Sequence, residues 1–184
     1  MSHVQSSTAE AATALKCELA TEVLRSFGSL RFTATGWSML PSIFPGDMLV
    51  VERIHSEQVR VGDVVLVARE GGLCTHRVIS TAGDAASRQW ITQGDGMSAP
   101  DRPVLENELL GRVAYLIRAG KCVAVPSELD AIESLVAKIV RRSRPAARAL
   151  VYLQQKRLHQ KHLQQKHLHR RLETSGEPVL PCQG

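Results

Sequence analysis

Between residues 30 and 118 the apolar positions come in short bursts, separated by glycine, aspartate and proline. Bursts of this length, rich in Val, Leu and Ile and bounded by turn formers, predict strands over 31–35, 48–54, 63–68, 73–80, 88–93 and 110–118. The pairs Gly46-Asp47, Gly62-Asp63 and Gly94-Asp95 punctuate them. Glycine accepts positive φ, and an aspartate bonds back to the turn backbone, so each pair marks a tight turn. Many short strands joined this way predict a mainly β body, a partly open β-barrel core.

The flanks follow a different period. Residues 9–27 place Leu15, Leu19, Val23 and Phe27 every fourth position, which predicts an amphipathic helix with Gly28 at its end and a polar, loose segment 1–8 before it. A second helix is predicted over 128–141, with Leu129, Ile132, Leu135, Val136 and Ile139 on one side. Pro145 interrupts it. The stretch 146–172, which contains QQKRLHQKHLQQKHLHRRL, spaces Leu158, Leu163 and Leu168 five apart. On a helix that spacing drifts by about 140° per step, so the apolar seam is poorly defined. Residues 173–184 read as a loose end. The chain thus divides into an N-terminal tail and helix (1–29), a β body (30–120), C-terminal helices with a basic Gln/Lys/His-rich stretch (121–172) and a tail (173–184).

Charge changes the picture only for the tail. The net charge of +5 splits into −3 over residues 1–140, +10 over 141–172 and −2 over the last residues. The basic stretch therefore says little about the β body. It offers contact with anionic lipid, whereas the lack of interleaved aromatic residues argues against nucleic acid. His159, His162, His167 and His169 have neither acidic nor cysteine companions at metal-ligand spacing, so no metal or other cofactor is expected. Cys17, Cys74, Cys122 and Cys182 form no CxxC pair and read as free thiols. With no apolar run of membrane-spanning length and no secretory leader pattern, the expectation is a cytoplasmic or peripheral membrane protein.

Candidate chemistry is concentrated in three places. Ser38 sits in Gly36-Trp37-Ser38-Met39-Leu40-Pro41, a short loop fenced by Gly36 and Pro41, which can expose a side chain while holding it rigidly. The run Cys74-Thr75-His76-Arg77-Val78-Ile79 reads as a strand. Its alternation puts Cys74, His76 and Val78 on one face and Thr75, Arg77 and Ile79 on the other. A histidine on a mainly apolar face needs a hydrogen-bond partner, and a serine hydroxyl would supply one. Gln93-Gly94-Asp95-Gly96-Met97-Ser98-Ala99-Pro100-Asp101 is a turn-rich loop with two carboxylates, either of which could orient the imidazole. Asp47 and Asp63 read as turn formers.

The ordered set GWSMLP, PGD, VGDVVLV, THRVI and QGDGMSAPD resembles the S24/S26 serine peptidases, which include type I signal peptidases and LexA-like self-cleaving repressors. The resemblance implies the LexA/signal-peptidase-like fold, with Ser38 as nucleophile and His76 as its base. Bacterial signal peptidases and LexA-like proteins carry a lysine where His76 stands, so the resemblance runs to the Ser/His branch of the endoplasmic-reticulum and archaeal type. It implies Asp101 as the third member and Asp95 as a supporting carboxylate. Gly36, Met39 and Pro41 would shape the substrate cleft, and the Ser38 N–H would be the first oxyanion donor. Gly36 stands where members commonly carry a serine.

These readings converge on a serine endopeptidase similar to signal peptidase, acting on a peptide or protein precursor. In that family substrates carry small residues before the cut and bind as an extended strand. The alternatives are a catalytically inactive peptide-binding module and a LexA-like self-cleaving regulator. The short segment before the β body is too small for a DNA-binding domain, which counts against the last.

Overall fold

The computed structural model describes residues 2–69, 72–83, 88–143, 145–158 and 160, with backbone alone over 2–10. It divides into two compact units, Met1–Ala147 and Arg148–Gly184. The first holds helix α1 (Ser2–Phe27), strands β1 (Ser29–Thr33), β2 (Met48–Glu52), β3 (Val64–Arg69), β4 (Gly72–Ala82), β5 (Gln89–Gln93), β6 (Leu109–Arg118) and β7 (Lys121–Ala124), and helix α2 (Ala131–Arg142). The strands form one open antiparallel sheet in the order β1-β2-β6-β3-β4-β5, with β7 paired to the far half of β6. This is the mainly β, unclosed body with flanking helices that the hydrophobic pattern predicts.

The sheet is buried on both faces at its centre. Val64 and Leu66 of β3 point into a core with Leu24, Met39, Ile43, Leu49, Val51, Val113 and Leu116, while Val65 and Val67 point into a second core with Val59, Val78, Trp90 and Val104. A strand buried on both faces reads as a continuous apolar run rather than an alternating one, and Val64-Val65-Leu66-Val67 is such a run. The Gly-Asp turns are built as their composition requires. Asp47 accepts from the Phe44 N–H at 2.8 Å, and Asp63 accepts from the Arg60 N–H at 2.9 Å. Strand β7 has no counterpart among the predicted strands. It returns from β6 through Ala119 and Gly120, both at positive φ, and an Ala-Gly pair is a weak turn signal.

The helices correct the sequence reading in three ways. Helix α1 begins at Ser2, so residues 2–8 are helical rather than loose. Its packed side is Ala20 and Leu24, while Leu15, Leu19 and Phe27, expected to face the core, are exposed. In α2, likewise, Ala137 and Val140 are buried and Ile132, Leu135 and Ile139 are exposed. The buried residues form their own stripe: Ala20 and Leu24 lie four apart and Ala137 and Val140 three apart, so each pair shares one helix face. The predicted stop is correct: Gly28 follows α1 at φ +70° and donates to the Leu24 carbonyl at 3.0 Å. Asp130 caps α2 by accepting from the Glu133 N–H at 2.7 Å.

Residues 145–158 are helical, with Pro145 at the start, where a missing N–H costs nothing. His159, His162, His167, His169, Cys182, most of the basic stretch and the expected tail at 173–184 lie outside the described residues. No helix among the described residues is long and apolar enough to cross a membrane.

Burial, not hydrophobicity, decides how the helix docks. We expect Leu24→Ala to lower unfolding stability by about 2–5 kcal/mol, and Leu15→Ser to leave it within about 0.5 kcal/mol, both read from urea midpoints.

Candidate active site

Ser38 lies in a tight turn between β1 and β2, drawn together by hydrogen bonds from Leu40 N to Trp37 O and from Ile43 N to Met39 O. The Leu40–Pro41 peptide is cis. Its neighbours Met39 and Leu40 are buried, so the turn is anchored through its apolar residues. Across from it runs the 94–101 loop. Gly96 N donates to Ser38 O at 2.7 Å, and Gly94 packs so closely that a Cβ there would stand 2.5 Å from that same oxygen. Only glycine permits this approach. The added Cβ would also lie 3.1 Å from His76 Nε2. Gly94 is therefore where the Ser38 turn and the His76 ring meet.

His76 projects from β4, where it pairs directly with Val65 of β3. Its ring is nearly buried, and Nδ1 lies 2.5 Å from Asp101 Oδ2. Asp101 is held in turn by Thr92, whose hydroxyl donates to the same oxygen at 2.7 Å and whose carbonyl accepts from Asp101 N at 2.7 Å. A carboxylate on Nδ1 fixes the ring and favours the tautomer with its free lone pair on Nε2, the nitrogen that faces Gly94. Among the described residues Ser38 Oγ makes no hydrogen bond, so the serine and the imidazole are brought to one place without being joined.

Asp95, the second carboxylate of the loop, is engaged elsewhere. Both of its oxygens accept from Arg77, at 2.8 Å each, and Ser42 Oγ donates to Oδ2 at 2.5 Å. Arg77 also donates to the carbonyls of Gly62 and Pro126, and Arg141 of α2 donates to the Asp95 carbonyl at 2.9 Å. The carboxylate beside His76 is thus Asp101, while Asp95 ties β4 to the Ser38 turn. Thr92, Ser42 and Arg141 went unrecognised in the sequence. Threonine, serine and a terminal-turn arginine are too common for their type alone to mark a role.

An apolar cavity of about 590 Å³ opens beside Ser38. Gly36, Ser38 and Met39 border it, together with β1, the first residues of β4 and helix α1; Pro41 does not. Cys74 borders it as well, and burial pushes its thiol up, so it stays protonated at neutral pH.

Residues 4–87 match the family model described as Peptidase S24-like. The match supports membership of the S24/S26 peptidase family. The matched segment contains Ser38 and His76 and ends before Asp95 and Asp101. Membership of the S24/S26 family supports serine peptidase chemistry in general, without specifying a substrate. Among curated proteins, none matches the chain.

Asp95→Asn would leave the buried Arg77 charge uncompensated. We expect a loss of about 3–5 kcal/mol in unfolding stability by urea titration, as for one half of a buried pair. Maleimide should modify the exposed Cys122 well before Cys74 at pH 7.5, with the gap narrowing as the pH rises; peptide mapping by mass spectrometry reads the order.

Proposed function

We propose that the chain is a serine endopeptidase of the Ser/His type, similar to signal peptidase of the endoplasmic-reticulum and archaeal branch, that cleaves a peptide or protein precursor. The observation that carries this reading is the His76–Asp101 pair, set with its free Nε2 toward Gly94, the residue against which the Ser38 turn is clamped. Ser38 Oγ makes no hydrogen bond among the described residues, so its hydroxyl is uncommitted. Catalytic hydrogen bonds are often long or absent before substrate binds.

In the reaction His76 Nε2 takes the Ser38 proton as Oγ attacks the scissile carbonyl. Asp101 holds the ring and balances the charge of the imidazolium. The imidazolium then gives its proton to the leaving amine, and water releases the acyl group by the reverse route. The Ser38 N–H makes no backbone hydrogen bond among the described residues and is the first donor for the oxyanion, with Gly36 contributing no hydroxyl. Asp95 acts through position, by holding the Ser38 turn. Substrate recognition is supported by two strand edges at the cavity. β1 ends the sheet order, and β4 pairs with β5 only from Arg77 onward, which leaves residues 72–76 unpaired on that side. An extended peptide can pair with such edges through its backbone.

Peptide binding without cleavage is the second reading, favoured by the missing hydrogen bond at Ser38 Oγ. A fluorophosphonate probe separates the two. Labelling of wild type and not of Ser38→Ala, with His76→Ala and Asp101→Asn slowed by about 10²–10⁴-fold, supports the peptidase. Equal background labelling of all four proteins overturns it.

The basic segment 141–172, with its ten Lys and Arg and no acid, is proposed to touch anionic lipid peripherally. Binding to phosphatidylglycerol vesicles that is lost when the segment is removed would support this, and equal binding to neutral vesicles would count against it.

A further inference from the structure

We propose that helix α1 is the third wall of the substrate groove and selects peptides that carry a bulky apolar side chain near the cut, together with an acidic residue. The inference rests on the peptide-binding part of the reading above and adds the class of peptide.

The helix is placed for this. It contacts β1 and β4, the two strands whose free edges flank the cavity. Near one end Leu24 is packed into the core beside Met39, and further along Thr13 Cγ2 comes within 3.1 Å of where a Gly72 Cβ would stand. Helix α1 therefore straddles the gap between the strand edges, and a peptide lying in that gap runs beneath it. The cavity that remains, about 590 Å³, lies well within the range of ligand sites, about 300–1,000 Å³. A peptide of small residues alone would leave much of that space empty.

The chemistry of the lining is one-sided. From the helix, Ala20 and Val23 face the space, and Leu30, Phe32 and Leu73 meet them from the strands. Lys16, exposed on α1, is the one charged side chain among the described lining residues. An apolar chamber with an ammonium group at its border and no carboxylate favours a ligand that is apolar with a negative charge beside it. The small-residue rule of the family describes the position at the cut. The space beneath α1 adds a separate requirement.

The test uses the full chain and matched fluorogenic peptides that differ in Ala against Leu at one scanned position and Glu against Lys at another. Each is measured as kcat/KM on wild type, Lys16→Glu and Val23→Phe, and as affinity for Ser38→Ala with and without each second substitution. We expect wild type to favour Glu over Lys by about two- to fivefold, the scale of an exposed pair, and Lys16→Glu to reverse the preference. Val23→Phe should cut the advantage of Leu over Ala by about tenfold. Lys16 is exposed and Val23 only half-buried, so neither change threatens the fold; melting curves check this. If peptides are cleaved but both preferences are unmoved by either substitution, the wall assignment is overturned while the peptidase reading stands. If Ser38 is never labelled and nothing is cut, yet the affinities shift with Lys16→Glu and Val23→Phe, the wall assignment stands and the peptidase reading fails. No binding and no cleavage of any peptide overturns both.

Discussion

The contact on which the rest of this molecule depends is the buried pair of Arg77 and Asp95. Both side chains are almost fully shielded from water, at 8% and 4% exposed. Removing two charges from water is expensive, and the attraction between them repays this only where the remaining donors are also satisfied. Here the Arg77 guanidinium meets the Asp95 carboxylate twice and spends its other donors on Ser42 Oγ and the carbonyls of Gly62 and Pro126. Four stretches of chain distant in sequence are joined at one planar group. Lysine could not do this, because its ammonium lacks the fork that reaches a carboxylate with two parallel hydrogen bonds.

The catalytic candidates inherit their positions from that junction. Ser42 belongs to the same turn as Ser38, and Asp95 stands next to Gly94 and Gly96, the two residues that touch the Ser38 carbonyl. Fixing Asp95 therefore fixes the surface against which the serine rests. His76 is fixed separately, by the ladder to β3 and by Asp101, which Thr92 holds from behind. Two independent supports thus converge on Gly94. Both the serine turn and the imidazole are thereby held from more than one side.

Much of this was readable in the sequence. Short apolar runs between Gly-Asp pairs locate six of the seven strands, because turn chemistry and burial on both faces leave strong local marks. Ser38, His76 and Asp101 were legible from their order along the chain and its resemblance to a family. Helix faces were harder. Periodicity picks out large apolar residues, yet Ala20 and Ala137 are among the buried positions, and a small residue carries little signal in a hydrophobic pattern. The resemblance already separated Asp101 from Asp95; what the residues alone did not show was how each is held, by Thr92 behind Asp101 and by Ser42 and Arg77 on Asp95.

Adjacent residues on a strand look in opposite directions, and β4 uses this at 76 and 77 to keep a neutralisable ring and a permanently charged fork one step apart on separate sides of the sheet. Displacing this strand by a single residue would exchange the two, sending the fork to the groove and stranding the ring opposite Asp95. Insertions or deletions inside 64–77 thus act on chemistry and architecture at a stroke.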